Sequence, residues 1–123
     1  MLYKYDTLVN KLSRFHRAFG HPIDKEFSQD DMKLPLTLIE EEFKELIEAS
    51  TKGDVPNIKK ELVDLVYVCV SMCVRYDWDL DVMFNLVHKS NMTKLDEQGN
   101  PIYREDGKIL KSDRYLPVDL TKL

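Results

Sequence analysis

Apolar residues recur at three- and four-residue spacings in four stretches of the chain. In the first, Leu8, Val9, Leu12, Phe15, His16 and Phe19 share one face, which predicts a helix from about Tyr5 to Phe19. Gly20 and Pro22 are its stop signals. Residues 21–34 (HPIDKEFSQDDMKL) show no period. They read as a loop longer than is usual in a compact domain, and such loops are mobile or functional. A second helix is expected after Pro35, over residues 36–51, with Gly53 ending it. Asp54 and Pro56 then signal a third, from about Asn57 to Tyr76. Its segment LVDLVYVCVSMCV is apolar nearly all round, the mark of a helix buried on most sides. Asp79 is a plausible cap for a fourth helix over residues 80–92, with Leu80, Met83, Phe84, Val87 and Asn91 along one side.

After Lys94 the helical period is lost. Turn signals stand at residues 98–101 (QGNP) and at Asp106-Gly107, and the latter lies between IYRE and KILK. The arrangement predicts a short β-hairpin within a non-helical tail over residues 95–123. A two-stranded ribbon is marginal by itself, so it should pack on the helices or on a neighbouring subunit. The pattern as a whole predicts one all-α domain over residues 1–123, a four-helix-type bundle with a hairpin tail. One bundle of this length can hardly enclose the third helix, so self-association as a homodimer or homotetramer is expected. Trp78 is expected to anchor one helix against another.

Composition narrows the function classes. The chain has 123 residues, 43% hydrophobic and 33% charged, and 22 acidic against 18 basic side chains give a formal charge of −4. Duplex nucleic acid needs clustered Lys and Arg, so it is not an expected partner. A nucleotide remains open if metal ions carry the positive charge. No apolar run approaches the roughly 20 residues that span a bilayer. The opening MLYKYDTLVNKLSRFH lacks the apolar core and cleavage site of a signal peptide. Cys69 and Cys73, four apart on one helix, read as reduced core residues, and the expected location is the cytoplasm.

The candidate chemistry lies in LIEEEFKELIEAS, residues 38–50, where five glutamates fall within nine residues. On a helical wheel with Glu41 at zero, the apolar residues spread over roughly 60° to 240°. Glu40 lies well outside that arc, and Glu41 and Glu48 lie just off its edge. A solvated acidic face accounts for Glu40 and Glu48. Glu45 approaches the apolar arc and Glu42, at about 100°, falls within it. The third helix repeats the anomaly, with Glu61 and Asp64 set among Leu65, Val68 and Met72. Residues three apart are neighbours on a helix, so each helix offers a carboxylate pair. Antiparallel helices would bring the two pairs face to face.

Four ionised carboxylates in a partly buried cleft repel unless they are protonated or neutralised. Divalent cations that favour oxygen ligands neutralise them, and Mg²⁺ or Mn²⁺ also brings phosphate. The competing reading is two amphipathic helices whose acids are satisfied by Lys and Arg. Carboxylate-bridged di-iron bundles use Glu-x-x-His, which neither pair has. The EF-hand loop pattern is absent.

Glu42-Phe-Lys-Glu45, fifteen residues, then Glu61-Leu-Val-Asp64 resembles the ExxE…ExxD signature of the all-α nucleoside triphosphate pyrophosphohydrolases. These are the MazG-like proteins, related to dimeric dUTPases and phosphoribosyl-ATP pyrophosphohydrolases. FHRAFGHP (15–22), LIEEEFKEL (38–46), ELVDLVYV (61–68) and VHKSNMTKLDEQGNPIYREDGKILK (87–111) all resemble segments of compact members, phage and bacterial ones included, in the family's order. The resemblance implies metal-dependent hydrolysis of a (deoxy)nucleoside triphosphate to the monophosphate and pyrophosphate. It implies that Glu42, Glu45, Glu61 and Asp64 hold Mg²⁺, or Mn²⁺, and that Glu41 or Glu45 orients or deprotonates the attacking water. Asn91 and Lys94 match the family's NxxK position, where substrate contacts are made. His16, Phe19 and His21 are candidates for base recognition, and Lys108 and Lys111 for phosphate. Relatives often carry an arginine where Pro35 stands. If that arginine contacts substrate or ties down the loop, Arg14, Lys33 or Arg104 would substitute. The expected role is cleaning or rebalancing nucleotide pools, with dGTP-, dCTP- and dUTP-type substrates all open. The alternative is a non-catalytic helical oligomer that binds a nucleotide or a protein partner.

Overall fold

The computed structural model describes residues 6–123 and is mostly helical. Its elements are α1 (Leu8–Phe19), α2 (Lys33–Lys52), α3 (Val55–Arg75), α4 (Leu80–Met92), β1 (Ile102–Tyr103) and β2 (Ile109–Leu110). The four helices and the hairpin are those the hydrophobic pattern predicts, and three boundaries differ. Tyr5 lies outside the described residues, and α1 begins later than expected because Thr7 caps it, its hydroxyl accepting from the Asn10 N–H at 3.1 Å. Helix α2 starts before Pro35 rather than after it, and Pro35 is buried in its first turn. The first N–H groups of a helix have no intrahelical acceptor, so proline costs nothing there. Helix α3 also starts early, at Val55, because Asp54 caps it by accepting from the Asn57 N–H.

The chain divides into two compact units, one running to Trp78 and one over Asp79–Leu123. In the first, α2 packs along α3, and α1 packs on α3 as well. Only Gly53 and Asp54 separate α2 from α3. Gly53 takes a left-handed conformation (φ 66°) and its N–H closes on the Ala49 carbonyl. A connection this short reverses the chain and sets α3 antiparallel beside α2. Leu12, Ala49, Val70, Val74 and Tyr76 form the buried apolar core. Each Val or Leu of that set contributes on the order of 1.5–3 kcal/mol by leaving water.

Within one chain α3 is less enclosed than its composition predicts. Leu62, Val63 and Val66 are 50%, 61% and 44% exposed, and on α2 Phe43 and Ile47 are exposed too. Cys69 belongs to this open strip and is exposed, while Cys73 is half-buried, and both are free thiols. Reading both as core residues is therefore corrected for Cys69, which sits one to two turns beyond Leu62 and Val66 on the same side.

The connection between α1 and α2 is pinned at its end. Asp31 accepts two bonds from Arg75 (2.7 and 2.6 Å), one from the Tyr76 hydroxyl (2.7 Å) and one from Lys25 Nζ (2.5 Å). The Lys25 N–H also donates to the Arg75 carbonyl at 2.7 Å. Phe27 packs on Tyr76 and Trp78, whose rings are themselves 4.9 Å apart. Trp78 thus anchors this loop to the end of α3 rather than one helix to another.

In the second unit, Asp79 caps α4 by accepting from the Val82 N–H. The strands pair antiparallel, Ile102 opposite Leu110 and Tyr103 opposite Ile109. The Arg104 N–H donates to the Lys108 carbonyl and the Gly107 N–H to the Arg104 carbonyl, which closes a three-residue loop with Gly107 left-handed at φ 88°. The chain beyond the hairpin returns to the end of α4. There Ser112 Oγ donates to the Thr93 and Leu95 carbonyls, and Ser90 Oγ to the Leu116 carbonyl. Among the described residues, no helix is long and apolar enough to cross a membrane.

Replacing Asp31 by Asn leaves Arg75, whose side chain is only 12% exposed, without its counter-charge. Asp31→Asn should lower the melting temperature at pH 7 by about 5 °C or more, read by calorimetry. Arg75 first, then Lys25 and Tyr76, hold the Asp31 carboxyl far below the ordinary carboxylate range. Its contribution is therefore present above the unfolded value, roughly pH 4, and is lost as pH falls below it. The gap between wild type and Asp31→Asn should stay constant from pH 7 to about pH 5 and narrow only in stronger acid.

Candidate active site

The α2–α3 pair positions the acidic residues. Glu42 and Glu45 lie one turn apart on α2, and Glu61 and Asp64 one turn apart on α3. Glu42, Glu45 and Glu61 each bring a carboxylate oxygen within 4.8 Å of the others. Their surroundings are graded: Glu61 is buried at 7% exposure, Glu42 is half-buried and Glu45 is exposed. Two side-chain oxygens in this set, Glu42 Oε2 and Glu61 Oε2, are buried and have no hydrogen-bond partner.

The site acts on its own acids. Desolvation raises the Glu42 carboxyl above its ordinary value, and the charges of Glu45, Asp64 and Glu61 add to the effect. Glu45 is raised as well, first by sharing a hydrogen bond with Glu61 and then by that residue's charge. Buried carboxylate oxygens without donors, crowded by like charge, are what a hard divalent cation relieves. The donor set fits such an ion: oxygens only, two of them unpartnered, on two helices that hold each other in place.

The remaining acids are placed otherwise. Asp64 stands outside the 4.8 Å set and is taken by Lys60, whose Nζ is 2.7 Å from Asp64 Oδ2 and 3.4 Å from Glu61 Oε1. Glu40 is exposed and pairs with Lys44 at 2.9 Å, as a solvated face predicts, and Glu48 is exposed too. Glu41 is exposed and lies outside the three-carboxylate set. Lys60 is the residue that sequence reasoning overlooked. Its spacing of four from Asp64 was the available signal.

One to two turns along the same seam is a small cavity of about 40 Å³, lined by His16, His21, Leu34, Pro35, Leu38, Val68, Ser71, Met72 and Arg75. Leu38 precedes Glu42 by one turn and Val68 follows Asp64 by one turn, so the cavity adjoins the acids along both helices. His16 is 1% exposed with both nitrogens engaged. Nδ1 lies 2.7 Å from the Pro22 carbonyl and Nε2 lies 2.5 Å from Ser71 Oγ. A carbonyl can only accept, so Nδ1 carries the proton and Ser71 donates to Nε2. Burial lowers the His16 pKa, which keeps the ring neutral. Phe19 is 66% exposed at the end of α1, its ring 4.5 Å from that of Phe15, which also meets His21 and Tyr67 edge-on.

The arginine that stands beside Pro35 is Arg75, and it ties down the loop through Asp31. The three expected substitutes are engaged elsewhere: Arg14 with Asp6, Lys33 with Asp30, and Arg104 with Asp106. Asn91 and Lys94 belong to the second unit, at the end of α4, where the Lys94 N–H bonds back to the Asn91 carbonyl. Lys108 and Lys111 flank β2 in the same unit, and the Lys111 ammonium lies 4.7 Å from the centre of the Tyr115 ring.

The profile of the phosphoribosyl-ATP pyrophosphohydrolase family matches residues 12–91, a span that includes all four acidic positions. An uncharacterized protein of Acanthamoeba polyphaga mimivirus is 27% identical over 113 residues. That match takes in 86% of this chain and 43% of the viral protein, so the chain spans less than half of that relative.

The crowding predicts a cost in stability. A carboxyl raised on folding stabilises the protein below its unfolded pKa and loses that contribution as pH rises through the folded value. Ionised Glu42 therefore weighs against the metal-free fold at neutral pH. Glu42→Gln should raise the melting temperature in EDTA at pH 7 by about 3 °C. The gain should shrink toward pH 4.5, the ordinary value for this group. A fall in melting temperature at pH 7 would contradict the strain.

Proposed function

The chain belongs to the phosphoribosyl-ATP pyrophosphohydrolase family, and from that premise and its acidic cluster we propose that it hydrolyses a (deoxy)nucleoside triphosphate to the monophosphate and pyrophosphate. The observation that carries this reading is the pair of buried, unpartnered carboxylate oxygens on Glu42 and Glu61. Glu42, Glu45 and Glu61 would hold Mg²⁺ or Mn²⁺, joined by Asp64 as the fourth acid of the motif. The bound ion would supply the positive charge that neutralises the triphosphate oxygens and the departing pyrophosphate.

The protein's own groups do the rest. Water attacks the α-phosphorus, the α–β anhydride bond breaks, and a carboxylate takes the water's proton. Glu41, exposed beside the cluster, is the candidate to orient and deprotonate that water. Glu45, also exposed and one turn along the helix, is the second candidate for that role. Phe19 offers an exposed ring on which a base can stack. His16 has no free nitrogen for a base, so its part is to hold Pro22 and the start of the loop in place. Asn91, Lys94, Lys108 and Lys111 are assigned to the substrate, with the lysines acting as point charges on phosphate.

Self-association belongs to the same reading. Leu62, Val63 and Val66 form an exposed apolar strip along α3. A second copy covering that strip would complete the burial that the helix's composition calls for. Sedimentation should find a dimer or tetramer, and Val63→Glu with Val66→Glu should shift it toward monomer with the helical signal retained. A wild-type monomer at high micromolar concentration would end the oligomer proposal.

The activity is tested by incubating the protein with each common NTP and dNTP plus Mg²⁺ and identifying the products. Monophosphate with pyrophosphate is expected for at least one substrate. Glu42→Gln and Asp64→Asn should each reduce turnover by about 10² or more, as expected when a metal-binding carboxylate is lost. Folded protein that turns over nothing would leave the non-catalytic, nucleotide-binding oligomer as the better reading. Orthophosphate with a diphosphate product would instead place cleavage at the wrong anhydride.

A further inference from the structure

Asp64 has the spacing of a fourth ligand, yet it stands apart from the three carboxylates that converge, bound instead to Lys60 at 2.7 Å. The same ammonium is 3.4 Å from Glu61 Oε1, so it leans on both acids of α3 at once. It leaves Glu61 Oε2 without a partner. Within this group of acids Lys60 is the one cation in contact among the described residues. Its side chain is 65% exposed, on a flexible four-carbon stem. A solvent-exposed ion pair of this kind contributes little to stability, so it can open at small cost.

We infer that Lys60 is the built-in counter-cation of the site and competes with the divalent ion for Asp64, so that loading the site releases Lys60 from that residue. The inference rests on the metal reading above and deepens it. It assigns Lys60 a positioning role, holding Asp64 off the cluster until the cluster is filled. In the metal-free protein the ammonium offsets part of the repulsion on α3, and in the loaded protein Asp64 is free to turn inward as a ligand. Wild-type affinity for the ion is then weaker than the four carboxylates alone would give, because each binding event has to displace a charge already paired.

The test is a titration of purified protein with Mn²⁺ alone, without nucleotide, followed by calorimetry and by loss of the free-ion paramagnetic signal. Lys60→Gln should bind Mn²⁺ about three- to tenfold more tightly than wild type, and Lys60→Arg should return affinity toward the wild-type value. The deciding arm is a double-mutant cycle. In an Asp64→Asn background the gain from Lys60→Gln should be clearly smaller than in the wild-type background, because the Lys60–Asp64 pair is gone and only the 3.4 Å contact with Glu61 remains. An equal gain in both backgrounds would mean simple through-space repulsion and would overturn the inference, as would unchanged or weaker binding by Lys60→Gln. Wild-type protein that binds no Mn²⁺ would overturn both the inference and the metal site. Mn²⁺ binding without triphosphate hydrolysis would remove the proposed activity and leave the role of Lys60 standing. Circular dichroism of each variant confirms that binding is compared between folded proteins.

Discussion

Like charges have to be held together by something other than themselves. Glu42, Glu45 and Glu61 converge to within 4.8 Å with two oxygens buried and unpartnered. Each of the three would gain by moving apart into water. What keeps them in place is the α2–α3 hairpin: a two-residue turn closed by Gly53 and a seam where Leu38 of α2 meets Val68 and Met72 of α3. The turn sets the helices antiparallel and the seam prevents them from separating. Stability lost at the site is thus offset by the core beside it, the usual arrangement where chemistry requires strained groups.

The same seam serves a second purpose farther along. Past the acids it opens into a small cavity lined by Leu34 and Pro35 of α2 and Met72 and Arg75 of α3, among others. Arg75 reaches from that cavity to Asp31 and so connects the end of α3 to the loop between α1 and α2. His16 works in parallel from α1, binding Ser71 of α3 on one nitrogen and the Pro22 carbonyl of the loop on the other. Both ends of the loop are therefore referenced to α3, the helix that also carries Glu61 and Asp64. A loop fixed at two points on the helix that carries Glu61 and Asp64 is positioned relative to those acids.

Lys60 supplies positive charge to both acids of α3. An ammonium on Asp64 and Glu61 offsets part of the repulsion among the acids. Its high exposure keeps it exchangeable. A buried lysine would have held the acids more firmly and would have been harder to displace.

Short-range features were readable along the chain. Helix periods, the Asp54 and Asp79 caps, the Gly53 stop and the inward lean of Glu42 all depend on residues within a turn or two of each other, and helical geometry converts such spacing directly into direction. The tail hairpin was readable for the same reason, although its Asp106-Gly107 closes a three-residue loop. Pro35 misled because a proline stops a helix only where its missing N–H would have been used, and in the first turn it is not. The division of labour among the acids was not legible. The Lys60–Asp64 pair, four apart on α3, had a local signal, but that Glu61 rather than Asp64 meets Glu42 and Glu45 depends on where α2 lies against α3. The Asp31–Arg75 pair, 44 residues apart, and the His16–Ser71 contact, 55 apart, are invisible to any local pattern. The sequence by itself determined which carboxylates lean inward, because that is a property of one helix. Only the tertiary structure decided which of them meet, because meeting requires two helices held at a set distance by packing that no single segment encodes.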